Sequence, residues 1–205
     1  MKDLAREFGE IDIYLFDQVL KGRIGSGDRV LDAGCGSGRN LVFLLRSGVD
    51  ASAVDRNPEA VAEVRALARE LAPHLPADRF RVEPIDRLSF PDGSFTVVIS
   101  SAVLHFAADD AHFDRMVAEI WRVLAPGGLL FARLATSIGL ENRLQSLGNG
   151  RFSLPDGSDR YLVDERRLIE RTAELGGQLL EPLKTTLVQD QRAMTTWVVK
   201  KRKSP

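Results

Sequence analysis

The chain has 205 residues, a length that fits one domain, and its 44% hydrophobic content supports a sizeable core. With 28 basic and 29 acidic side chains the formal net charge is -1, so no overall field draws it to nucleic acid or to an anionic membrane, and neither is an expected partner. The single cysteine, Cys35, excludes an internal disulfide and, with no Cys/His cluster beside it, argues against a structural zinc; no metal is expected, and a reducing cytoplasm fits.

Residues 1–20 are charged at the start and lack a long apolar core, so they read as neither signal peptide nor membrane span, and the chain is expected to start as written. Within them "REFGEIDIYLFDQVL" places Phe8, Ile11, Tyr14, Leu15 and Val19 on one face of a helix, which either packs on the core or covers a ligand entrance with Tyr14 or Asp12 in contact. Short apolar runs at 29–33, 51–55, 80–83, 95–100 and 129–134 read as strands. Between them, Asn57 and Pro58 open a helix as N-cap and first residue, and "DDAHFDRMVAEIWRVLAPGG" is a second helix, stopped by Pro126 and two glycines. Strands joined by helices of this length need right-handed crossovers, which give a mainly parallel sheet covered on both faces.

Residues 136–162 break the rhythm with glycines, arginines and Asp/Ser turns of little period, and form a candidate substrate-side insertion. A helix follows from Asp164 to about Leu175, and "LLEPLKTTLVQ" and "MTTWVVKK" are joined by too short a link for anything but an antiparallel hairpin. The tail "KKRKSP" reads as a solvated chain end. The predicted fold is α/β, a Rossmann-like doubly wound, mostly parallel seven-stranded sheet with an antiparallel last strand. It is one domain over residues 1–205: a helical cap (1–27), a core (28–134), the insertion (135–163), and a last helix with the terminal hairpin (164–205).

Ligands of such sheets sit at the carboxyl ends of the strands, and "VLDAGCGSGRN" is a strand, a glycine turn and a helix start at such an end. Gly34, Gly36 and Gly38 let a ligand lie against bare backbone. A dinucleotide fingerprint would need a small third residue where Arg39 stands, and Asp32 is a poor neighbour for a pyrophosphate but a good one for a cation. Asp55, at the end of the second strand, is placed to take ribose hydroxyls. A ribose with positive charge and no phosphate points to S-adenosylmethionine.

The stretches "VLDAGCGSGRN", "AVDRNPEAV", "RLSFPDGSFTVVISSAVLHF" and "EIWRVLAPGGLLF" resemble, in order and spacing, four successive motifs of class I S-adenosylmethionine-dependent methyltransferases. The resemblance is close over about residues 28–134 and looser to the final hairpin. It implies that the loop from Asp32 to Gly38, with Cys35 inside it, holds the methionine portion, Gly34 offering its carbonyl to the amino group. Asp55 would bind the ribose, Arg56 would lie near the adenine, and Ile85 and Asp86 would form its other wall. Pro84 stands where related sequences carry an aspartate, so the Ile85 main chain is the firmer contact. Ser100 and Ser101 would line the sulfur and methyl end. The family's Asn/Asp-Pro-Pro-Tyr/Phe signature of many amino-methyltransferases is not the motif here.

Methyl transfer from a sulfonium mainly needs alignment and exclusion of water, so a base is required only for an acceptor of high pKa. His105 is the candidate base, its other reading being a residue that packs at the start of the next helix. His74 and His112 read as surface residues, and Cys35 as a small packing residue. Arg133, Arg143, Arg151 and Arg160, with Tyr161, are candidates for an anionic substrate. The implied function is methyl transfer from S-adenosylmethionine to a small molecule, as in bacterial families acting on quinone precursors, thiols or metalloid oxyanions. The alternatives are an RNA or protein methyltransferase, a non-catalytic S-adenosylmethionine-binding module, and an NAD-type oxidoreductase.

Overall fold

A computed structural model describes residues 4–203; residues 1–3 of the expected cap and 204–205 of the basic tail lie outside the described residues. In chain order the elements begin with α1 (Leu4–Phe8), α2 (Ile13–Leu20), β1 (Arg29–Ala33), α3 (Leu41–Arg46), β2 (Asp50–Asp55), α4 (Pro58–Leu71) and β3 (Phe80–Val82). There follow β4 (Phe95–Ser101), α5 (Asp110–Val123), β5 (Leu124–Ala135), β6 (Gln145–Gly148), β7 (Arg151–Ser153) and β8 (Asp159–Tyr161). The chain closes with α6 (Glu165–Glu174), β9 (Gly177–Leu179), β10 (Lys184–Val188) and β11 (Arg192–Lys201).

The main sheet runs β10-β11-β5-β4-β1-β2-β3, and β9 also pairs with β11. Pairs among β1 to β5 are parallel, whereas β11 is antiparallel to β5, to β9 and to β10. The seven expected positions are therefore filled by eight strands, because β9 and β10 lie along different stretches of the same β11 edge. Strand order reverses between β1 and β4, and the crevice there, at the carboxyl ends, is the ligand position of such sheets.

Alternation along the strands divides the core between two faces. Leu31, Val98 and Leu130 join the cluster under α5 and α6, while Val30, Val97, Ile99 and Phe131 join the cluster that receives Leu15 of α2. Trp197, fully buried, donates its indole N–H to Thr172 Oγ1 at 2.9 Å, which satisfies the one polar atom of the largest core side chain.

Three local expectations need correction. The amino-terminal segment is not one helix but two, separated at residues 9–12, with Asp12 capping α2 through the Tyr14 N–H at 2.9 Å. Its apolar face packs inward: Phe8 and Phe16 meet Phe43 of α3, with ring centroids 5.4 and 5.3 Å from it. The insertion is not irregular but holds a second, three-stranded antiparallel sheet, β6-β7-β8. The basic tail is only partly solvated, since Lys201 ends β11 and its Nζ donates to the Trp121 and Leu124 carbonyls at 2.6 and 2.7 Å.

Glu181, between β9 and β10, joins the two ends of the chain. Burial opposes its charge, but hydrogen bonds from Lys21, Gln18 and Arg23 outweigh burial and hold its carboxyl down at about 2. No helix of the described residues is long and apolar enough to cross a membrane.

Candidate functional site

A cavity of about 680 Å³ opens at the carboxyl ends of β1, β2 and β4. Its floor is the loop after β1. Gly34 and Cys35 both donate their N–H groups to the Val54 carbonyl, which fixes the loop against β2. Gly36 has φ +52, and a Cβ there would meet no atom within 4 Å, so this bare backbone faces free space. At Gly34, by contrast, φ is +84 and a Cβ would come within 2.5 Å of the Val103 side chain. Val103 lies there because Ala102, just past β4, has φ +64, an uncommon conformation for a residue with a Cβ.

Asp55 closes the side of the loop. One carboxylate oxygen accepts from Gly36 N and the other from Asn57 N, each at 2.9 Å, so the group is oriented while spare lone pairs face the cavity. Beneath the loop, Asp32 is 1% exposed and neither carboxylate oxygen has a partner among the described residues. Burial pushes its carboxyl up to about 7; the Arg39 charge works against this and the Asp55 charge adds to it. A buried carboxylate without a donor favours a cation nearby. The Gly34 carbonyl, above it, accepts no hydrogen bond among the described residues.

Eight of the eleven expected cofactor residues line this cavity: Gly34, Cys35, Gly36, Asp55, Arg56, Ile85, Asp86 and Ser101. Asp32 and Ser100 lie below its surface, Ser100 fully buried with its hydroxyl unpartnered. Gly38 corrects to a packing position, because a Cβ there would come within 3.0 Å of Val64 and 3.2 Å of Leu67 on α4. The Cys35 thiol is pushed far up by burial and by the charges of Asp32 and Asp55, so no thiolate forms.

His105 is corrected as well. It is buried, does not line the cavity, and its Nδ1 accepts from Ala135 N at 3.1 Å. Burial, helped by the charges of Arg160 and Arg133, lowers it to about 4. The ring is thus neutral with its proton on Nε2, and its free lone pair is already used. His105→Ala is expected to lower stability by about 1–3 kcal/mol, because Ala135 N would lose its acceptor in the interior; denaturant unfolding would measure it.

None of Arg133, Arg143, Arg151 and Arg160 lines the cavity. Arg143 is 58% exposed and pairs with Asp190 at 2.9 Å, Arg160 lies 5.0 Å over the Phe106 ring, and Tyr161 donates to Asp110. Arg133 turns under the cap, with Nη1 3.3 Å from Asp12 and its guanidinium 5.2 Å over the Tyr14 ring. Tyr14 itself is hydrogen-bonded to Thr186 at 2.7 Å and does not line the cavity.

Sequence reasoning missed several walls. His112, taken as a surface residue, lines the cavity with Nε2 3.6 Å from the Asp86 carboxylate, its Nδ1 accepting from Ala108 N. Val103, Phe106 and Met116 add an apolar wall, and Arg39 and Asn40 also line the cavity. The signal for Arg39 was its position directly after the loop.

Comparison with known proteins follows the same core. Residues 31–132 match the model of the methyltransferase domain family. The ubiquinone biosynthesis O-methyltransferase of Xanthomonas campestris pv. campestris is 30% identical over 168 residues, covering 76% of this chain and 68% of that protein. The EEF1A lysine methyltransferase 4 of Mus musculus is 27% identical over 154 residues, covering 69% of this chain and 58% of that protein. Among solved structures, a protein of Methanosarcina mazei described as an S-adenosylmethionine-dependent methyltransferase superposes with a TM-score of 0.74 at 22% identity, covering 91% of this chain and 98% of that one; it shares the fold. The chain spans between 31% and 58% of the length of the first curated relatives it matches.

Proposed function

The chain belongs to the S-adenosylmethionine-dependent methyltransferases, and from that membership we propose that it binds S-adenosylmethionine in this cavity and transfers the methyl group to a small-molecule acceptor. The observation that carries the reading is Asp32: a buried carboxylate with both oxygens unpartnered, under a glycine loop whose Gly34 carbonyl is free, suits an ammonium-bearing ligand and repels a pyrophosphate. When bound, S-adenosylmethionine supplies a methyl group activated by its sulfonium.

The chain's residues then have four tasks. Asp55, held by Gly36 and Asn57, accepts from the ribose hydroxyls. Arg56, Ile85 and Asp86 flank the adenine, with His112 beside Asp86. Gly34 takes the ammonium through its carbonyl. Ser101, with the apolar Val103, Phe106 and Met116, walls the methyl end and keeps water from it. No base is assigned: His105 has its lone pair occupied, and an acceptor that ionises before attack needs none.

The named role of the Xanthomonas relative in ubiquinone biosynthesis favours a small acceptor, and that of the mouse relative, a lysine methyltransferase, supplies the competing reading of a protein acceptor. Calorimetry with S-adenosylhomocysteine and with NAD tests the donor. Saturable binding of the first alone is expected, and the reverse pattern would sink the proposal. A labelled-methyl screen over phenols, thiols and carboxylic acids, with a protein extract in parallel, tests the acceptor; binding without transfer to any of them would leave a binding module instead of an enzyme.

A further inference from the structure

None of those tasks uses Arg39. It follows the glycine loop directly, lines the cavity, and its side chain is 40% exposed. Its Nη2 donates to Ser101 Oγ at 3.0 Å, and its other N–H groups have no hydrogen-bond partner among the described residues. The nearest carboxylate is Asp12, at 3.7 Å, which is too far for a hydrogen bond.

Asp12 is also already engaged. Its Oδ1 takes the Tyr14 N–H, and its Oδ2 lies 3.3 Å from both Ser101 Oγ and Arg133 Nη1. Two guanidinium groups thus share one carboxylate, and the one with open donors is the one on the cavity wall. The remaining acids near it limit what it can receive. Asp32 lies beneath the loop, half neutralised near neutral pH by its burial, and Asp55 closes the loop's side. A dianionic phosphate would meet both, whereas a carboxylate carries one charge and matches the fork of a guanidinium.

We propose that Arg39 is a carboxylate anchor of the cavity, binding the acid group of a ligand whose reacting end lies toward Ser101. The inference rests on the methyltransferase reading. The acid has two possible sources, the methionyl carboxylate of the cofactor or an acid group on the acceptor, and the same chemistry serves both.

Arg39→Gln and Arg39→Lys are titrated by calorimetry with S-adenosylhomocysteine and with its decarboxylated analogue, and assayed with acidic acceptors and their amides. If the cofactor is the source, the native protein should prefer S-adenosylhomocysteine to the analogue by at least about tenfold, and Arg39→Gln should abolish that preference. If the acceptor is the source, Arg39→Gln should bind both nucleosides as the native protein does, while KM for the acids alone rises by about tenfold or more. Arg39→Lys should recover part of either loss, and the melting temperature should stay unchanged, since the side chain is exposed. An Arg39→Gln protein that keeps both the preference and the KM values would overturn the anchor alone. A native protein that binds neither nucleoside would overturn the methyltransferase reading and the anchor with it.

Discussion

Asp55→Ala is expected to weaken S-adenosylhomocysteine binding by about ten- to a hundredfold, because the carboxylate is proposed to make charge-assisted hydrogen bonds to the ribose, worth roughly 1.5–3 kcal/mol together with the orientation they impose. The substitution also frees two donors, Gly36 N and Asn57 N, that now hold the loop beside the cavity. Both donors lie at a partly exposed position where water replaces the lost acceptor, so the melting temperature should fall little while affinity falls much. Asp55→Asn, which keeps one acceptor oxygen, should lie between. Unchanged affinity in Asp55→Ala would remove the ribose assignment.

Asp32 yields the second large effect, and its sign depends on pH. Its carboxyl stands at about 7 in the folded protein, above its ordinary 3.8, chiefly through burial. The native state therefore holds this proton more tightly than the unfolded chain does. Its contribution to stability is complete below the unfolded value of about 4, and is lost as pH rises through about 7. Asp32→Asn carries no such charge. Without ligand it should melt higher than the native protein at about pH 8 and no differently at about pH 4. Binding should show the reverse sense, because the proposed cofactor is a cation and prefers the ionised carboxylate. Affinity of the native protein for S-adenosylmethionine should rise by up to about tenfold from about pH 6 to about pH 8, and Asp32→Asn should show a lower, flatter profile. A native profile without slope would show that Asp32 does not face the ligand's charge.

The fold was legible where one local rule sufficed. Val30 and Leu31, or Val97, Val98 and Ile99, are buried on opposite faces, so their runs are apolar throughout and read as central strands. Asn57 before Pro58 and Asp164 before α6 mark helix starts by capping, and both side chains do accept the N–H two or three residues on. The small sheet was not legible, because β6, β7 and β8 have only three or four residues each and none but Tyr161 is buried, so pairing rather than pattern holds them.

In the site, local chemistry was readable and tertiary neighbours were not. Glycines, Asp32 and Asp55 carry their message in type and spacing. Arg39 meets Ser101 across 62 positions, and His112 nears Asp86 across a strand and a turn, so only the folded chain brings them to one wall. The same holds for His105, whose position after β4 fits a base or a packing residue equally in type; Ala135 N, occupying its lone pair, makes it the packing residue. Gly38 packs against α4, and nothing near it in sequence names Val64.

The Glu181 cluster has a bearing on how the protein is made. Gln18, Lys21 and Arg23 are synthesised about 160 residues before their acceptor. Until then α2 lacks its anchor on the edge strand, as well as the Thr186 hydroxyl that Tyr14 reaches. The residues that line the cavity all lie between Gly34 and Met116, so they are made before the two groups that tie α2 to the edge strand. The walls of the cleft and the tie that seats α2 thus come from separate stretches of the chain, and the order of synthesis gives the walls first.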